Sequence, residues 1–309
     1  MKIWQQEDVT SLFEATGIPV HKPLVVSFSK ATYEFDPNPK ANWLYYAFLA
    51  FIKLAATIKE LETVAVVGTG SGLDGIGIYE TLRPKRLQLT DVHPKVIPVA
   101  RLNLQNYFTT ARAKVKWDVV LGNLCGPLLP ESVDMVYANI PTIPGNPSRI
   151  LTGMNSSSFY DPDWAKNCPV SLERNYLGLQ YEFLRQARIA LKPGGLAAVA
   201  LGVRMNACLV EKLFCAAKFS GYEPVVLDLK EQSQPKAVVA SYARQERSGG
   251  TSFDFYREES LQVRPGSKLS LPEFKQSLLE WKVSAQEAFR LVRRGEKIYH
   301  VIAILGGQK

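Results

Sequence analysis

Val64-Ala-Val-Val-Gly-Thr-Gly-Ser-Gly72 is the stretch whose reading decides the fold. Four small apolar residues run straight into three alternating glycines, and helix-forming residues follow from Asp74. The pattern predicts a buried parallel strand that ends in a tight turn beneath a helix N-terminus. Glycine permits the backbone conformations such a turn needs, and unpaired N–H groups at a helix start attract anionic or polar ligands. Taken alone, the turn marks a site for some nucleotide-like molecule.

Outward from the turn, the chain alternates strand and helix, which predicts an α/β fold built on a doubly wound, seven-stranded, mostly parallel sheet. Strands are expected at 63–67, 86–90, 115–121, 133–138, 196–201, 224–228 and 298–305. Helices are expected near 74–81, 95–107, 176–190 and 206–219. Residues 1–58 form an N-terminal cap or lid, with a helical piece from Asp8 to Thr16, an extended piece from Pro23 to Phe35 and a helix from Asn42 to Lys59. The remaining residues, 59–309, make the ligand-binding domain. An insert at about 232–295 precedes the last strand and carries Ser248-Gly-Gly-Thr251 as a loop, then helices at 271–281 and 284–294. Both the cap and the insert are expected either to cover the ligand edge of the sheet or to decorate it.

In a doubly wound sheet the ligand lies outside the carboxyl ends of the strands, where the strand order reverses. Gly68, Gly70 and Gly72 stand at the first such end. The second strand closes on Thr90-Asp91-Val-His93, and a carboxylate there can accept both hydroxyls of a ribose. Capping the following helix is the plainer role for Asp91. The glycines follow GxGxG; Leu73 occupies the place where GxGxxG needs a glycine. Three further segments are informative: Val120-Leu-Gly-Asn-Leu-Cys-Gly-Pro-Leu128, Val133-Asp-Met-Val-Tyr-Ala-Asn-Ile-Pro-Thr142, and Tyr176-Leu-Gly-Leu-Gln-Tyr-Glu-Phe-Leu-Arg185 ahead of Leu191-Lys-Pro-Gly-Gly195.

In that order these segments resemble the class I S-adenosylmethionine (SAM)-dependent methyltransferases, over roughly residues 60–230. The likeness is nearest to the branch that methylates nitrogen and carries Asn-Pro-Pro-Tyr, such as the release-factor glutamine methyltransferases. The resemblance implies that Gly68, Gly70 and Gly72 pass beneath the methionine part of SAM, that Asp91 holds the ribose, and that Asn123 faces the adenine amino group. Asn123 replaces a residue that is usually acidic in that family, and Val67 replaces a frequent acidic residue before the first glycine. SAM's amino group must then be held in another way. By the same resemblance Asn139 accepts hydrogen bonds from the target nitrogen and touches the cofactor, while Pro141 and Thr142 lie against the substrate. This chain has Ile140 and Thr142 where the motif has proline and tyrosine. Threonine offers no stacking face, so a small aliphatic nitrogen fits better than a planar base or amide.

Aromatic residues follow the loop: Phe159, Tyr160, Trp164, Tyr176 and Tyr181. Aromatic faces attract a sulphonium as they do an ammonium. Tyr176, at the expected start of a helix, is the candidate to join Asn139 in catalysis, and Tyr33, Phe35 and Trp43 are candidate lid residues. The function expected is alkyl transfer from SAM to an aliphatic nitrogen of a small amino-acid-like substrate. The chain also looks like the SAM cyclases, in which SAM's own α-amino group closes on its γ-carbon to give azetidine-2-carboxylate and methylthioadenosine. An RNA methyltransferase or RNA-binding adaptor is a third reading.

Composition bounds these choices. Hydrophobic residues make up 46% and charged residues 21%, as in ordinary globular domains. The net charge of +8 would draw anions, yet the basic residues are scattered; the densest group is Arg290, Arg293, Arg294 and Lys297. A solvated helix face explains that group better than a nucleic-acid patch, and no recognisable RNA-binding appendage accompanies it. The start Met1-Lys-Ile-Trp-Gln-Gln-Glu-Asp8 lacks the apolar run of a signal peptide, and the apolar window 43–57 is interrupted by Lys53 and too short to span a bilayer. Cys125, Cys168, Cys208 and Cys215 form no CxxC pair, and His21, His93 and His300 are dispersed. No metal site is expected, and reduced thiols fit a cytoplasmic protein.

Overall fold

The computed structural model describes residues 5–29, 32, 35–58, 60–145, 158–263 and 269–309. Of the residues named from the sequence, Met1 to Trp4, Tyr33 and Lys59 lie outside them. The chain opens with strand β1 (Gln5–Asp8), helix α1 (Thr10–Glu14), strand β2 (Val25–Phe28) and helix α2 (Trp43–Thr57). Alternation then begins with β3 (Thr63–Val67), α3 (Leu73–Leu82), β4 (Arg86–Asp91), α4 (Ile97–Thr110), β5 (Lys116–Leu121) and β6 (Val133–Ala138). Short strands β7 (Ile143–Pro144) and β8 (Phe159–Tyr160) and the one-turn helix α5 (Val170–Glu173) lead into α6 (Gly178–Ala190), β9 (Leu191–Gly202), α7 (Ala207–Ala216) and β10 (Glu223–Glu231). The insert holds α8 (Pro235–Gly249), β11 (Phe255–Tyr256), α9 (Leu271–Gln276), β12 (Lys282–Val283) and α10 (Ala285–Arg293), and β13 (Tyr299–Gln308) closes the chain.

The main sheet runs β5-β4-β3-β6-β9-β13-β10, with the short β11 and β12 added from the insert. Strands β3, β4, β5, β6 and β9 pair parallel, whereas β13 is antiparallel to both β9 and β10. Counting the seven long strands in chain order gives 3-2-1-4-5-7-6, the doubly wound order with a reversed last strand slotted in before the edge. This is the class I methyltransferase, Rossmann-like fold. Among the described residues the sheet has nine strands rather than the seven expected, because the insert contributes two residues at a time to its margin.

The parallel strands are apolar on both sides because both sides are covered. Val64, Val66, Met135 and Tyr137 face a core shared with α2, α3 and α4. Ala65, Val67, Val136 and Ala138 face a second core shared with α6 and α7. Val9, Leu12 and Phe13 of the N-terminal segment belong to the first core. The insert builds a third, smaller core around Val239, Tyr242, Phe253 and Phe255, which also takes in Ile143 and Tyr176.

Three local expectations need correction. The helix placed at Tyr176 begins at Gly178. Tyr176 itself has φ +59° and closes the turn after α5, its N–H donating to the Glu173 carbonyl at 3.0 Å. The insert contains a fifteen-residue helix, α8, that the sequence reading missed, and Ser248 and Gly249 are its last residues rather than a loop. Proline at its first position and Val238, Val239, Tyr242 and Ala243 on one face account for it. The helix expected at 271–281 divides into α9 and a short 3₁₀ turn, Leu279–Trp281.

Candidate active site

Parallel register puts the critical chain ends together. Val67 of β3 pairs with Ala138 of β6 and with Thr90 of β4, while Asp91 pairs with Leu121 of β5. Gly68, Asp91, Gly122 and Asn139 therefore leave the sheet along one edge, where the strand order reverses. A cavity of about 860 Å³ opens there. That is toward the upper end of the range of roughly 300–1,000 Å³ typical of small-molecule sites.

The glycine turn forms the floor. Gly68, Gly70 and Gly72 have φ of +72°, +52° and +89°, values that side chains rarely tolerate. A Cβ on Gly68 would also come within 3.2 Å of Ile140 Cγ2, so the turn and the Asn139 loop are packed against each other. Gly72 caps α3, and in the first turn of that helix Asp74 is buried and lines the cavity. Burial raises its carboxyl to about 7, and its Oδ1 has no hydrogen-bond partner among the described residues. Thr69 Oγ1 is likewise buried and unpartnered there.

Asp91 is 6% exposed and its two oxygens are already engaged: Oδ1 accepts from the His93 N–H at 2.9 Å and Oδ2 from the Gly70 N–H at 3.1 Å. Burial raises its pKa, and those backbone bonds oppose the rise. Asp91 thus joins the second strand to the glycine turn, which combines the capping role with a place at the cavity wall. Asn123 lines the same wall, in a loop held by Thr90 Oγ1 donating to the Leu124 carbonyl at 2.8 Å.

Asn139, Ile140, Pro141 and Thr142 all line the cavity. Buried Gln180 of α6 fixes this loop, its Nε2 donating to the carbonyls of Pro141 at 3.0 Å and Ile140 at 3.4 Å. Thr142 Oγ1 lies 3.1 Å from the Tyr242 hydroxyl. Tyr176 does not join this group. Its hydroxyl donates to the Ser241 carbonyl at 3.1 Å, its ring stacks on Phe253 at 5.7 Å, and it is absent from the cavity wall. Its left-handed backbone points the ring into the core of the insert. Of the other aromatics, Trp164, Phe35 and Trp43 line the cavity, whereas Phe159, Tyr160 and Tyr181 do not.

Asp74 and Arg204 are among the lining residues that the sequence reading did not single out. Asp74 is hidden in an apolar helix start, and Arg204 lies beyond the last motif, in Val203-Arg-Met-Asn206. Only the packing of the insert against the end of β9 reveals the second. No group of three potential metal ligands exists among the described residues, and no helix among them is long and apolar enough to cross a membrane.

No protein-family model matches the chain. It is 30% identical over 145 residues to a release factor glutamine methyltransferase of Moorella thermoacetica. The match covers 46% of this chain and 47% of the relative, so the chain spans about half the length of the curated relative it matches. Among solved structures, the YcgJ protein of Bacillus subtilis superposes with a TM-score of 0.45 at 12% identity, covering 85% of this chain and 97% of that one. A phosphoethanolamine N-methyltransferase 2 of Haemonchus contortus, solved with S-adenosyl-L-methionine, gives 0.39 at 13%, covering 85% and 52%. Likenesses this distant leave the fold resting on its own strand order.

Proposed function

We propose that the protein is a SAM-dependent methyltransferase acting on an aliphatic nitrogen of a small, amino-acid-like acceptor. The observation that carries this reading is the opening of Asn139 into the same cavity as Gly68, Gly70, Gly72 and Asp91, side by side in register with the glycine turn. The residues fit SAM. Three positive-φ glycines leave the turn bare, Asp91 and Asn123 line the wall as acceptors for a ribose and an adenine, and Asp74 and Thr69 offer oxygens unpartnered among the described residues to an ammonium. Asp74 answers the loss of an acidic residue at Val67: an ammonium beside it would restore its ionised form.

Bound there, SAM supplies an electrophilic methyl carbon and a good leaving group. The chain's own part is placement. Asn139 Oδ1 accepts from the acceptor's N–H and so turns the nitrogen lone pair toward the cofactor. Gln180 keeps the loop from relaxing, and Thr142, tied to Tyr242, leaves room for an aliphatic group where an aromatic residue would clamp a plane. Positioning of this kind accounts for much of the rate of an in-line transfer.

A second reading, cyclisation of SAM itself with release of methylthioadenosine, is favoured by Asp74, a buried carboxylate near 7 that could take the proton of the α-amino group. Incubation with SAM alone separates the two: methylthioadenosine with a cyclic amino acid supports cyclisation, and no product without an added acceptor supports methyl transfer. In either case Asn139→Ala is expected to lower turnover by about 10²-fold or more while S-adenosylhomocysteine (SAH) binds within a few-fold of wild type by calorimetry. Retained turnover would mean the loop is only a turn.

A further inference from the structure

Arg204, just past the end of β9, is 3% exposed and lines the cavity. Among the described residues its guanidinium meets only neutral acceptors. Nε and Nη2 donate to Gln232 Oε1 at 3.1 and 2.5 Å, and Nη1 reaches the Gly202 carbonyl and the Tyr242 hydroxyl, each at 3.4 Å. Its Cζ lies 5.0 Å from the centre of the Tyr242 ring. Among the described residues no carboxylate comes within 4.0 Å of it. The nearby acids are committed elsewhere: Asp254 pairs with Lys275 at 2.9 Å and Lys282 at 3.4 Å, and Glu231 pairs with Lys297 at 3.0 Å.

Positive charge accumulates behind it. Lys230 is fully buried and donates to Ser233 Oγ at 2.9 Å and to the Glu231 carbonyl at 3.1 Å, again with no carboxylate in ion-pair range among the described residues. His300, also buried, has both ring nitrogens unpartnered among them, and burial beside Arg204 and Lys230 keeps its imidazole neutral. Buried cations are ordinarily paired, because desolvation otherwise makes them costly. A guanidinium that lines a cavity, braced by Gln232 and backed by a second cation, is therefore arranged for a counter-charge that a ligand brings.

Strand order says which ligand. From one side of the edge to the other stand Asp91 on β4, the glycines on β3, Asn139 on β6 and Arg204 beyond β9. Arg204 is thus on the far side of the transfer point from the place of the ribose. We propose that Arg204 seats a carboxylate of the acceptor whose nitrogen is presented at Asn139, so that the acceptor is recognised at both of its polar ends. This deepens, and rests on, the reading of the cavity as a SAM-dependent transfer site.

Acetate is the probe. Melting curves of wild type, Arg204→Met and Arg204→Gln are compared in acetate and in chloride at equal ionic strength, with and without excess SAH, and SAH affinity is measured separately by calorimetry. The expected result is an acetate-specific rise in wild type that persists with SAH bound and is lost in both variants, with SAH affinity within about twofold of wild type. An equal acetate effect in wild type and variants overturns the anion seat. An effect that SAH abolishes, with weakened SAH binding in the variants, assigns Arg204 to SAM's own carboxylate and overturns the acceptor assignment. Absence of SAH binding to wild type would instead defeat the transfer reading, and the acetate comparison without SAH would still decide the seat. Should Arg204→Met fail to fold, Arg204→Gln gives the comparison.

Discussion

Single residues in this protein are set by whether burial leaves them a partner. Asp91 is buried with two backbone donors, so it keeps its place in the cavity wall. Lys230 is buried with no carboxylate in ion-pair range among the described residues, and desolvation brings its ammonium down to about 8. The consequence for stability has a definite sign. Below about pH 8 both folded and unfolded chains hold the proton, and the folded state carries the full penalty. Between about 8 and the ordinary value of 10.5, the unfolded chain binds more protons than the folded one, so this residue makes stability rise with pH. Lys230→Met is expected to stabilise the fold at pH 7 by up to about 3 kcal/mol and to remove that upward slope. Urea unfolding at pH 7 and pH 9.5 checks both, and a variant with the wild-type slope would refute the assignment.

Between elements, the N-terminal segment and the glycine turn are joined by one side chain. Asn103 of α4 accepts from the Ser27 N–H at 2.8 Å and donates to the carbonyls of Ser27 and Ser71, both at 2.9 Å. It thereby ties β2 to the turn that begins α3. Asn103→Ala would orphan buried backbone groups and is expected to cost about 2 kcal/mol or more, with a loss of SAH affinity that a mere surface strand would not produce. Denaturation and calorimetry on the same variant measure the two effects. Element boundaries were legible where periodicity was strong: β3 and β6 fall on 63–67 and 133–138 as the apolar runs predict. They were illegible where a partner made the element. Helix α8 is amphipathic only toward a core supplied by α10 and the loop around Phe253, and Tyr176 ends a turn because Gly178 can start the next helix beside Tyr160.

For the molecule as a whole, Val9, Leu12, Phe13, Val26, Phe28, Phe48 and Phe51 contribute to the same core as β3, β4 and β6. Unfolding is therefore expected as one main transition rather than a separate early loss of the first 58 residues. Saturating SAH should raise that transition: a hundredfold excess over Kd adds about 2.7 kcal/mol, or roughly 4 °C for a chain of 309 residues. Scanning calorimetry with and without SAH tests both statements. A low-temperature transition insensitive to SAH would show that the N-terminal segment folds on its own.

The sequence by itself determined the strand–helix alternation, the glycine turn and the loop at Asn139, since each is written in contiguous residues whose spacing and backbone preferences act locally. It also exposed the departure from Asn-Pro-Pro-Tyr at Ile140 and Thr142. Tertiary structure alone decided which distant residues complete the cavity. Asp74 became a buried carboxylate whose Oδ1 has no hydrogen-bond partner among the described residues, because α3 packs into the first core; Tyr176 was drawn away by the insert. Among the described residues Arg204 was left without a counter-ion within 4.0 Å, because the acids around it are taken by Lys275, Lys282 and Lys297. Pairing and burial of this kind depend on neighbours far apart in the chain, which no local pattern records.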